Sequence, residues 1–205
     1  MKNTIFYVLM ITALAAVVHG CGAIKSQPEQ VSLYTLSYPA PRALKTDSSS
    51  SALLEVKPFL AAGPYRSDRI VYAESKYKRS SYVYHKWQTE PAGMVGDLIM
   101  RDIRASQVAE TVVSAPDTPP THTLQATIDS FYEDDSQDTW EAVLELTVTL
   151  SDNSSDSPEN RIILHKTYTE RKAMEQNNPL GLAEAMSRAV EEVSTRMIKD
   201  ISKHL

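Results

Sequence analysis

The chain has 205 residues, 42% hydrophobic and 23% charged, with 21 Lys and Arg against 26 Asp and Glu. That is one globular domain's worth of chain, and its acidic balance disfavours both nucleic acid and attachment to anionic lipid through a basic patch. Cys21 is its single cysteine, so no intramolecular disulfide and no cysteine-based metal centre can form, and its six glycines build neither a P-loop nor a dinucleotide fingerprint.

Lys2 and the amino terminus precede Thr4 to Val18, a nearly unbroken apolar run of 15 residues. This is signal-peptide length, short of the roughly 20 residues that a spanning helix needs. Val17-Val18-His19-Gly20-Cys21 follows and resembles a bacterial lipobox, with His19 departing from the usual small or aliphatic residue. The expected organisation is therefore a leader over 1–20, a lipidated Cys21 with a polar tether over 21–30, and a folded domain over 31–205. Gly rather than Asp at position 22 favours, by resemblance to the sorting rule of enteric lipoproteins, the outer membrane over the inner one.

In chain order, Val31 to Tyr38 predicts a first strand, stopped by Pro39 and Pro41, and Lys45 to Ser51 a loop. Leu53 to Phe59 predicts a second strand with Leu54 and Val56 on one face. Arg69 to Ala73 and Tyr82 to Trp87 predict a hairpin around the polar stretch Glu74 to Ser81. Pro91 opens a helix whose Met94, Val95, Leu98, Ile99 and Ile103 recur at helical spacing. Thr111 to Ser114 is a short strand before a Pro-rich turn.

The second half carries the clearest pattern. Over Thr139 to Leu150 every even position from Trp140 is apolar, which predicts a long strand with one buried face. Its expected partner is His122 to Tyr132, with Leu124, Ala126 and Ile128 inward, and a third strand follows over Arg161 to Ala173. Ser151 to Asn160 has no apolar residue and reads as the connecting loop. A last helix runs from Pro179 to about Lys203, with Leu182, Met186, Ala189, Val193, Met197 and Ile201 as its core-facing stripe.

Chemistry-bearing patterns are sparse. His85, His122, His165 and His204 lie in unrelated segments without metal-ligand spacing, and no nucleophile elbow precedes a helix, so no catalytic, cofactor or metal residue is assigned. The run Glu133 to Asp138 places Asp134, Ser136, Asp138 and Glu145 at calcium-loop positions. Thr139 stands where such a loop needs Gly, and a solvated hairpin turn is the expectation. Tyr72, Tyr77, Tyr82, Tyr84 and Trp87 interleave with Lys76, Lys78, Arg79 and Lys86. The acidic balance excludes nucleic acid as their ligand, which leaves a division between core rings and a partner surface formed by Tyr82, Tyr84 and Trp87.

The order of these signals resembles the ABC-type transport auxiliary lipoprotein component family, which includes the paraquat-inducible protein C lipoproteins. The resemblance covers Tyr34 to Leu205 and rests on Tyr34-Thr35-Leu36 after the anchor, Leu54 to Phe59, and Arg69 to Tyr72. It continues through Tyr84 to Trp87 with Pro91, Leu124 to Tyr132 leading into Trp140-Glu141-Ala142, and Leu182-Ala183 in the last helix. It implies a non-enzymatic periplasmic lipoprotein with an acylated Cys21, without cofactor. The implied partners are a mammalian-cell-entry (MCE) domain protein and an ABC permease and ATPase that move lipids or other hydrophobic molecules. The implied fold is an α/β sandwich of mixed sheet and two main helices resembling the amino-terminal domain of TolB, and rings formed by some similar proteins make a homo-oligomer an expectation. The alternative is a lipoprotein that assists assembly of an outer-membrane or cell-wall machine.

Overall fold

The computed structural model describes residues 29–43, 51–136, 138–155, 157 and 161–205. The expected leader, Cys21 and most of the tether lie outside them. Within the compact unit Val31–Leu205, the strands are β1 (Ser32–Tyr34), β2 (Leu53–Val56), β3 (Leu60–Ala61), β4 (Arg69–Ser75), β5 (Lys78–Trp87), β6 (Thr111–Val113), β7 (His122–Asp134), β8 (Glu141–Asp152) and β9 (Ile162–Ala173). The helices are α1 (Pro91–Ser106) and α2 (Pro179–Ile201).

β7 is the spine of one mixed sheet. On one side it pairs antiparallel with β8 along its whole length, and β8 pairs with β9. On the other side it takes three short strands in parallel and in succession: β2 at His122–Leu124, β3 at Thr127–Ile128 and β4 at Glu133–Asp134. β6 lies beyond β2, while β5 and then β1 lie beyond β4. The expected strand Leu53 to Phe59 is divided because Pro58 has no N–H to give: Lys57 N donates to Leu124 O, and pairing resumes only at Leu60.

Both helices supply the core on one face of the sheet. All six residues of the predicted α2 stripe are fully buried, as are Val95, Ile99 and Ile103 of α1 and Leu144, Leu146, Val148 and Leu150 of β8. Each of the larger side chains, Ala189 apart, contributes about 1.5–3 kcal/mol relative to exposure. On the other face Thr127, Thr147 and Thr167 stand in register, Thr147 Oγ1 donating to Asp129 at 2.6 Å and meeting Thr167 at 2.8 Å.

Three local features depart from the sequence expectation. β1 is only three residues long, since Leu36 and Tyr38 leave the sheet and are buried against the helices. The β4–β5 hairpin is longer than expected, because residues 78–81 continue the ladder and the turn shrinks to Lys76 and Tyr77. A bulge at Asp129 shifts the β7 register between Ile128 and Ser130, which reverses the alternation. Leu124, Ala126 and Ile128 face inward before it, Phe131 and Glu133 after it.

Candidate docking surface

The aromatic cluster lies on β4 and β5, and the ladder between these strands contains a large irregularity. Arg69 pairs with Lys86 and Val71 with Ser81, so residues 82–85 stand opposite Ile70 alone. The segment is held by other means. Tyr82 packs at a tilt against Tyr72 with ring centroids 5.0 Å apart, and its hydroxyl donates to Glu133 Oε1 at 2.8 Å. His85 sits edge-on to Tyr82, and its Nδ1 is 3.0 Å from the Tyr34 hydroxyl. β1 adds backbone pairing at His85, Lys86 and Trp87.

This arrangement separates the three residues expected to form a partner surface. Trp87 is 1% exposed and packs edge-on against Phe131 at 5.3 Å, so it is a core residue and not part of the surface. Its position between β1 and the β4 side of the sheet encloses it from both edges. Tyr82 is half-buried by Tyr72 and Glu133. Tyr84 is exposed, and the bulge adds Val83, which the aromatic pattern of the sequence does not mark. With Val31 and Leu33 at β1 they form an apolar rim of residues 40–71% exposed. Exposed apolar groups on paired strands make this edge a candidate interaction site.

Beneath the bulge lies the most unusual polar group of the domain. Glu133 is fully buried, its Oε2 has no hydrogen-bond partner among the described residues, and burial pushes its carboxyl up to about 7 against the opposing effect of the Tyr82 bond. Asp135 is raised in the same direction by burial, and its Oδ1 also has no hydrogen-bond partner among the described residues. The acidic run is therefore not a wholly solvated turn. The bulge at Asp129 turned Glu133 inward, and no signal in the alternating pattern marks it.

The remaining candidates stay apart. Asp134 accepts from Arg171 at 2.5 Å and from Ser136, while Glu145 accepts from Ser130 at 3.2 Å on the neighbouring strand, so the calcium-loop positions are not assembled. His122 meets Thr121, and His165 meets Thr149, each at 2.9 Å. Among the described residues no three metal-ligating side chains converge, and no helix is long and apolar enough to cross a membrane.

The family model for the ABC-type transport auxiliary lipoprotein component matches residues 34–198, from the last residue of β1 into the last turn of α2. The chain belongs to that family. Solved structures share the fold of this auxiliary lipoprotein. A protein of the DUF330 family from Xanthomonas campestris superposes with a TM-score of 0.71 at 20% identity, over 82% of this chain and 92% of its own. An uncharacterised protein superposes with a TM-score of 0.68 at 13% identity, over 84% and 99%. A hypothetical protein from Chlamydia trachomatis does so with a TM-score of 0.50 at 9% identity, over 75% and 96%. No curated protein matches the chain. The mixed α/β fold with a multi-stranded sheet and two helices is thus that of the family.

Proposed function

We propose that this auxiliary lipoprotein is held in the periplasmic leaflet of the outer membrane by an acylated Cys21 and docks, without catalysis of its own, to an MCE-domain protein. That partner belongs to an ABC-type system moving lipids or other hydrophobic molecules. The family match is the observation that carries the transport reading. The anchor is supported by the apolar run that stops at the chain's single cysteine. Two or more acyl chains give stable attachment where one is marginal. The nine residues between Cys21 and Val31 reach at most about 30 Å, which keeps the domain beside its leaflet.

Docking is assigned to the rim of Val31, Leu33, Val83 and Tyr84, with Tyr82 supporting it from below. Exposed aromatic and aliphatic side chains beside a sheet edge present apolar contact area to a partner. The anchor is tested by metabolic labelling with radioactive palmitate and by membrane fractionation of wild type and Cys21→Ser. Label and outer-membrane recovery, both lost in Cys21→Ser, support it. An unlabelled wild-type chain, or a serine variant that still fractionates with the outer membrane, refutes it.

A further inference from the structure

We propose that Glu133 is a proton-operated latch for the β5 bulge: its neutral form keeps Tyr82 seated on the sheet, and its ionised form frees residues 82–84, and with them Val83 and Tyr84. This inference rests on the proposed docking role only for the use to which the bulge is put.

The geometry makes the bulge the element that yields. Residues 82–84 have no ladder partners on β4 or β1, so they can move while His85 stays paired with Ser32 of β1, whereas Glu133 itself is fixed by pairing with Ala142 and Tyr72 on either side. The side-chain tie from the bulge to β7 is the bond from Tyr82 to Glu133 Oε1. One donor does not replace the hydration of a carboxylate, and Oε2 faces no donor among the described residues. A neutral carboxyl there leaves a single unpaired hydroxyl, a far smaller cost than an unpaired charge.

The groups that face Glu133 do not relieve that charge. Tyr82 of β5 brings a hydroxyl, Tyr72 of β4 is the uncharged neighbour in register, and Asp135, just after β7, brings a second negative charge. Ala142, its β8 neighbour in register, is uncharged, and Lys172 beyond it on β9 is tied to Glu170 at 3.1 Å. Burial dominates, and it raises the carboxyl to about 7. Opening is therefore favoured increasingly as pH rises from the ordinary 4.5 towards about 7. This window falls where small changes in ambient pH alter the population of the docking surface.

Amide hydrogen exchange of the full mature lipoprotein in detergent, read on peptides spanning residues 80–88 at pH 6 and pH 8 and normalised for intrinsic rates, tests the latch. A group titrating midway gives about a tenfold rise in exchange between the two. Glu133→Gln removes the rise and keeps exchange low, and Tyr82→Phe gives fast exchange at both pH values. Equal wild-type exchange at pH 6 and 8, or a tenfold rise that persists in Glu133→Gln, overturns the proposal. Should Glu133→Gln fail to fold, the carboxyl carbon resonance of Glu133 in the wild type decides: a midpoint near 7 supports the latch, and one at its ordinary 4.5 overturns it. No partner is present in this experiment, so its failure leaves the docking role standing, and loss of the docking role leaves the titration intact.

Discussion

The Tyr38 hydroxyl donates to Asp102 Oδ2 at 2.7 Å, and the same oxygen accepts from Ser194 Oγ at 2.7 Å. One buried carboxylate thereby joins the segment after β1, the middle of α1 and the middle of α2. Its other oxygen takes Arg101 Nε and Nη2 at 2.9 and 2.7 Å, and the guanidinium lies 4.6 Å from the Tyr38 ring centre. Asp102→Ala strands two buried hydroxyls and is expected to cost about 3 kcal/mol, because removing one member of a buried charged network leaves the others unpaired. Ser194→Ala removes one bond and costs about 1 kcal/mol. Urea unfolding with unchanged m-values checks both, and an Asp102→Ala loss no larger than that of Ser194→Ala would contradict the arrangement.

Gly181 is required where α2 starts. A Cβ on it would sit 2.0 Å from the Gln176 carbonyl oxygen, a backbone atom that cannot rotate away, while its N–H caps onto Asn178 Oδ1 at 2.9 Å. Gly181→Ala is expected to destabilise by about 3 kcal/mol, the upper end for overpacking, although Ala is the better helix former. Asn178→Ala loses only the cap, about 1 kcal/mol. Thermal unfolding of the two variants checks the order.

Trp87 and Tyr84 are expected to separate stability from binding. Trp87→Ala empties a core site against Phe131 and costs about 3–5 kcal/mol. Tyr84→Ser changes an exposed side chain and shifts stability by no more than about 0.5 kcal/mol. Circular dichroism melts of the two variants give the comparison. A Tyr84→Ser melting loss equal to that of Trp87→Ala would show that the bulge is part of the core.

Stability should fall as pH rises through about 7, owing to Glu133. Its folded-state value is raised above the ordinary 4.5, so the folded state binds the proton more tightly than the unfolded chain does. The contribution is complete below the ordinary value and is lost between there and about 7. Melting temperatures from pH 4.5 to 8 should decline across that window in the wild type relative to Glu133→Gln. Parallel curves for the two proteins would remove Glu133 as the cause.

Much of this architecture was legible because the second half of the chain follows simple periods. The β8 alternation and the α2 stripe each describe a buried face, and the structure buries those residues. The bulge at Asp129 was not legible: one extra residue inverts the pattern without changing composition, and it alone converts Glu133 from an expected turn residue into a buried acid. The same holds for β5, where the aromatic run pointed to a surface but strand pairing decided its members. β1 and the β4 side enclose Trp87, whereas the irregular ladder exposes Val83 and Tyr84. Tyr38 departs from its predicted strand, and its hydroxyl bonds the α1 carboxylate of Asp102 that Ser194 of α2 also meets.

A photo-crosslinking residue placed at Tyr84 in the native lipoprotein, followed by purification from irradiated envelopes and mass spectrometry, tests the docking claim most directly. The predicted result is capture of an MCE-domain protein, dependent on Cys21 and lost when the crosslinker is moved to the open sheet face at Thr147. Capture of cell-wall or outer-membrane assembly proteins in its place, or equal capture from both positions, would contradict it.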